Sequence, residues 1–91
     1  MLRLVAYDIS NPRTLRRAAN VCLDYGIRIE KSVFECDLAS DAFEALWNRL
    51  CALVDEETDS LVCYPVCAAC EKRMVRHGRA FHKEPAEIRV F

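Results

Sequence analysis

Glycine is scarce in this 91-residue chain, with two residues, Gly26 and Gly78, so no glycine-rich loop can cradle a nucleotide phosphate. No apolar run approaches the roughly 18 residues that a membrane-spanning helix needs. The N-terminus has no basic flank leading into an apolar signal segment, so the expected location is the cytoplasm, with no membrane partner. An excess of positive charge is also missing: the formal net charge is −1, which excludes a uniformly basic nucleic-acid binder. With 53% hydrophobic and 30% charged residues, the composition is that of one globular domain, expected to span 1–91. A chain this short buries only roughly 60 to 65% of its unfolded surface, which favours an oligomer.

The near-zero total conceals segregation. Residues 1–31 carry 6 basic and 3 acidic side chains, 32–66 carry 1 and 8, and 67–91 carry 6 and 3, giving segment charges of +3, −7 and +3. A phosphate responds to local field, so two basic ends can still present a basic face. Cysteine is abundant, with six residues. Without a signal segment these are expected to be reduced thiols rather than a disulfide framework.

The chain opens on an apolar strand, Met1 to Tyr7, that ends in the carboxylate of Asp8, with turn residues Ser10-Asn-Pro12 behind it. An acid where a strand meets a loop serves chemistry in some folds and a turn or helix cap in others. Asn11 suits an N-cap and Pro12 the first helical position. Leu15, Ala18, Ala19, Cys22 and Leu23 then mark the apolar face of a helix from about Arg13 to Asp24, stopped by Gly26. Arg13, Arg16 and Arg17 form a basic cluster near its start, a short distance along the chain from Asp8.

Residues 27–38 alternate as a strand, but apolar parity switches from Ile27 and Ile29 to Phe34, Cys36 and Leu38. A period of two cannot change faces unbroken, so a bulge or tight turn is expected near Lys31 and Ser32. Ser40 is expected to cap a second helix that buries Phe43, Leu46, Trp47, Leu50, Cys51 and Val54. Asp55 to Asp59 reads as an acidic loop, and Ser60 to Val66 as a strand whose Pro65 places it near a sheet edge. A short helix ending at Gly78, a loop at 81–85 and a last strand at 87–91 complete the chain. The order β-α-β-β-α-β is that of a ferredoxin-like α+β fold, a sheet with helices over one face. The last strand is an addition expected to pair with a partner protomer's sheet.

Leu4-Val-Ala-Tyr-Asp8, Arg16-Arg17, Tyr25-Gly26 and above all Arg28-Ile-Glu-Lys-Ser-Val-Phe-Glu35 resemble the Cas2 family, the small CRISPR-associated proteins of spacer acquisition. Asp59-Ser-Leu, Tyr64 and Ile88-Arg-Val90 extend the resemblance over nearly the whole chain. Glu30 departs from it, standing where family members usually have glutamine. The resemblance implies a ferredoxin-like homodimer that bridges CRISPR integrase subunits and supports double-stranded DNA. It also implies that some members hydrolyse DNA or RNA with a divalent metal. Carried over, Asp8 is the candidate catalytic residue and ligand for one Mg²⁺ or Mn²⁺ shared by the dimer, and Tyr7, Ser32 and Phe34 lie near the dimer cleft. Arg13, Arg16, Arg17, Arg28 and Lys31 are candidates for phosphate contacts. An alternative is a toxin-like metal-dependent endoribonuclease that works without an integrase.

Cys63, Cys67 and Cys70, with His77 and His82 downstream, are the remaining constellation. Two of these three thiolates plus both histidines could supply the four ligands of a zinc site, although one C-x-x-C without a second pair is a weak signal.

Overall fold

Asn11 begins the helical part of the molecule as the sequence leads one to expect. Its side-chain oxygen accepts from the N–H groups of Arg13 (2.9 Å) and Thr14 (3.1 Å), satisfying donors that have no partner inside the helix. The helix it starts is α1 (Pro12–Leu23). The computed structural model describes residues 1–78. Around α1 it places β1 (Leu2–Asp8), β2 (Ile27–Glu30), β3 (Val33–Asp37), α2 (Ser40–Leu53), β4 (Ser60–Val66) and the short α3 (Ala68–Lys72). The loop expected at 81–85 and the strand expected at 87–91 lie outside the described residues.

The four strands form one sheet in the order β2-β3-β1-β4, every neighbouring pair antiparallel. That order, with α1 and α2 as the two crossovers, is the ferredoxin-like α+β arrangement. The parity switch in 27–38 is resolved by a turn at Lys31 and Ser32 between β2 and β3, with a register shift between Arg28 and Glu30. Pro65 sits in β4, an edge strand, where a missing N–H is tolerated.

Val5, Tyr7, Phe34 and Cys36 project from the sheet into the core with Ala18, Val21 and Cys22 of α1 and Leu46 and Leu50 of α2. Fully burying side chains such as Phe34, Leu46, Leu50 and Val5 contributes about 1.5–3 kcal/mol each. The opposite strand parity places Leu4, Ala6, Val62 and Tyr64 on the other sheet face, where Val62 and Tyr64 are exposed. Glu35 shares this face yet is buried, because Arg76 reaches back from beyond α3 to pair with it.

Gly26 is required by close approach. A Cβ there would run into the carbonyl oxygen of Glu35 and come within 2.6 Å of Cys36 Sγ, so only glycine lets the turn after α1 lie against β3.

Several local expectations shift. Leu15 and Leu23 are exposed and Val21 is buried instead, because the arc facing the sheet is Ala18, Val21 and Cys22 while Leu15 and Leu23 lie toward the ends of α1. Ser40 is the first residue of α2 and Ala39 holds the cap position. The side chain that bonds there is Asp41, accepting from the Ala42 N–H at 2.8 Å. Cys51 is exposed rather than part of the buried face, which is carried by Leu46 and Leu50. The third helix stops at Lys72, well before Gly78.

Candidate nucleic-acid interface

β1 runs between β3 and β4 and ends with Asp8 opposite Ser60. The Tyr7 N–H donates to the Ser32 carbonyl oxygen at 3.1 Å, which draws the β2–β3 turn against the end of β1. On the other side, the Ser10 N–H donates to Asp59 Oδ1 at 3.1 Å and the Asp55 N–H donates to Asp59 Oδ2 at 2.9 Å. These backbone donors hold the Asp59 carboxyl below its usual range. The acidic loop is therefore fastened by one of its own carboxylates to the loop that follows Asp8.

An open cleft of about 1090 Å³ results. Tyr7, Ile9, Leu15, Ala19 and Ile29 form its apolar part, and Asp8, Arg16, Arg28, Glu30, Lys31 and Ser32 supply its polar groups. The structure thus brings six of the nine sequence candidates together: Tyr7, Asp8, Arg16, Arg28, Lys31 and Ser32. Arg13 and Arg17 are exposed on α1 but do not line the cleft. Phe34 is fully buried in the core, where its ring stacks against Tyr7 with centroids 6.2 Å apart. It supports Tyr7 from beneath.

Tyr7 is itself 5% exposed, and its hydroxyl has no hydrogen-bond partner among the described residues. Burial pushes the phenol above its ordinary pKa of 10.0. The Arg28 guanidinium is close enough to oppose that rise without forming a well-aligned hydrogen bond, and it lies 5.2 Å from the Phe34 ring centroid.

The Asp8 carboxylate is exposed and makes no hydrogen bond or ion pair among the described residues. A hard divalent cation is commonly held by one or two carboxylates with water and substrate phosphate, so Asp8 suits half of such a site. No group of three or more His, Cys, Asp and Glu side chains that could hold a metal forms among the described residues. The residues considered for zinc accordingly form no set of three or more there: Cys63 is half-buried in β4 while Cys67 and Cys70 are exposed, and His82 lies outside the described residues.

Ser10 and Asp59 were not legible as site-forming residues. Their partnership depends on the antiparallel register that sets Asp8 opposite Ser60, across some fifty positions of sequence.

Comparison with known proteins places this geometry among relatives. The family model described as CRISPR associated protein Cas2 matches residues 1–74. The chain is 39% identical over 83 residues to the CRISPR-associated endoribonuclease Cas2 1 of Moorella thermoacetica, covering 86% of each. It is 41% identical over 69 residues to the CRISPR-associated endonuclease Cas2 of Halalkalibacterium halodurans, covering 70% of this chain and 72% of that one. The crystal structure of Streptococcus pyogenes Cas2 at pH 6.5 superposes with a TM-score of 0.77 at 36% identity, over 86% of this chain and 100% of that one.

Proposed function

The chain belongs to the CRISPR-associated Cas2 protein family, and from that premise we propose that it binds duplex DNA as a homodimer and bridges CRISPR integrase subunits in spacer acquisition. The observation that carries this reading is the cleft where Arg16, Arg28 and Lys31 surround the Asp8 end of β1. Three cations in one recess attract phosphates without reading bases, which suits a scaffold for duplexes of any sequence. The sheet face away from the helices, with Val62 39% and Tyr64 56% exposed, supports pairing with a second copy. A two-fold axis there would turn one Asp8 per chain into two.

A second activity, cleavage of phosphodiester bonds in DNA or RNA, is favoured by the Asp8 carboxylate, unengaged among the described residues, and by the endonuclease and endoribonuclease names of the relatives. Asp8 of each protomer would hold one Mg²⁺ or Mn²⁺ per dimer. When bound, that ion supplies a Lewis acid for the scissile phosphate and an activated water. Arg16, Arg28 and Lys31 would hold the phosphate chain in the recess, beside its apolar part of Tyr7, Ile9, Leu15, Ala19 and Ile29.

Co-purification with an integrase subunit, and spacer acquisition in cells with and without this gene, test the first reading. A stable complex and acquisition that depends on the chain are expected; no complex together with normal acquisition overturns it. Asp8→Ala separates the second reading. Metal-dependent cleavage should disappear while complex formation persists, and cleavage that survives the substitution removes Asp8 from the chemistry.

A further inference from the structure

Among the thiols that neither the cleft nor the core uses, two lie close together in the chain. Cys67 and Cys70 are both exposed, directly after β4. The Glu71 N–H donates to the Cys67 carbonyl oxygen at 2.9 Å, so residues 67–71 close one helical turn. Such a turn sets residues three apart on one side, with Cβ atoms about 5–6 Å from each other. A disulfide needs a Cβ separation of about 3.5–4.5 Å, which local adjustment of an exposed turn can reach. The two residues between them, Ala68 and Ala69, carry no side chain that would obstruct the approach.

The other four cysteines differ. Cys22 and Cys36 are buried, Cys63 is half-buried, and Cys51 is exposed on α2. We propose that Cys67 and Cys70 are a redox-active dithiol, which a low-molecular-weight disulfide of the glutathione class converts into an intramolecular disulfide. The pair sits where the chain leaves the sheet for the segment that carries Arg76, so oxidation fixes the start of that segment.

The two thiols are unequal in the sense this chemistry needs. Cys67 makes no regular capping hydrogen bond, yet the nearby Cys70 amide and thiol hold its pKa below the ordinary 9.0. Cys70 is pushed above 9.0 by its thiol's interaction with Cys67. Cys67 is then the attacking sulfur. Its thiolate displaces one glutathione thiolate from the small disulfide and forms a mixed disulfide. Cys70 gives up its proton to solvent and attacks Cys67 Sγ; the Cys67–Cys70 bond forms as the bond to the second glutathione breaks. Two electrons have passed from the protein dithiol to the small disulfide, which leaves as two thiols.

The full-length native chain is incubated with excess oxidised glutathione, quenched by alkylation in denaturant so that the buried thiols are reached, and mapped by peptide mass spectrometry. The expected result is a disulfide within the 67–70 peptide and four of the six thiols still alkylated. Cys70→Ser should halt at glutathione on Cys67, and Cys67→Ser should slow the reaction of Cys70 to the rate of Cys51. Because both side chains are exposed, neither serine disturbs the core. Glutathione that accumulates on Cys51 as fast as on Cys67, or a mixed disulfide at Cys67 that persists with Cys70 present, overturns the proposal. So does stoichiometric zinc in the purified chain that masks both thiols until it is chelated.

Discussion

The Ser10 backbone N–H donates to Asp59 Oδ1 at 3.1 Å, fastening the loop after Asp8 to the loop ahead of β4. The same carboxylate accepts from the Asp55 N–H, so one side chain sets the positions of two loops at the end of β1. Asp59→Ala should lower the melting temperature at neutral pH and weaken DNA binding by loosening the cleft. The folded-state pKa of Asp59 lies below the ordinary 3.8, so its contribution is present above that value and is lost as pH falls through the lower folded value. The difference in melting temperature between wild type and Asp59→Ala should therefore be constant near neutrality and close in acid below pH 3.8. Differential scanning fluorimetry across that range checks both the size and the direction.

Gly26→Ala tests the packing of the turn after α1 on β3. The added methyl meets the Glu35 carbonyl oxygen and Cys36 Sγ, one a backbone atom in a central part of the sheet and the other a buried side chain. Neither can move aside cheaply, so the loss should be about 1–3 kcal/mol or more in urea unfolding.

Glu35 and Arg76 form an ion pair whose side chains are 3% and 14% exposed. Removing Arg76 takes this cation away from the buried Glu35 carboxylate, so Arg76→Ala should cost about 3–5 kcal/mol, measured by equilibrium unfolding. Replacing Glu35 as well by an apolar residue should restore part of that loss, since the buried carboxylate is then gone too.

Burial pushes the Cys22 thiol up to about 12 and the Cys36 thiol up to about 11, with neighbouring Cys36 and Cys63 adding to the respective rises. Iodoacetamide at mildly alkaline pH should therefore label Cys51, Cys67 and Cys70 in the native chain and reach Cys22 and Cys36 only after unfolding. Peptide mapping before and after denaturant reads the outcome directly.

Much of this architecture could be read from local patterns. Asn11-Pro12 announces the start of α1, the parity switch at 31–32 announces two strands instead of one, and Pro65 announces an edge. Such signals rest on neighbours within a turn or two, where propensity and periodicity act. What needed the tertiary fold is who faces whom. Leu15 keeps the helical period yet lines a cleft, because α1 begins over the end of the sheet and not over its middle. Phe34 belongs to a strongly patterned segment, but strand parity turns it to the helices with Cys36, while Ser32 lies in the turn before β3 and lines the cleft. The grouping of Arg16 with Arg28 and Lys31, and the separation of Arg13 and Arg17 from them, likewise depends on how β2 returns beside α1.

That separation gives the most direct measurement of the central claim. Binding of a fluorescein-labelled duplex is followed by anisotropy over a range of salt concentrations for wild type, for Arg16→Ala/Arg28→Ala/Lys31→Ala, and for Arg13→Ala/Arg17→Ala. If the cleft is the phosphate site, the triple variant binds much more weakly at every sequence tested and its salt slope falls by about one for each phosphate no longer neutralised, while the double variant changes far less. An unchanged affinity and slope in the triple variant, or an equal weakening in the double variant, would contradict the account.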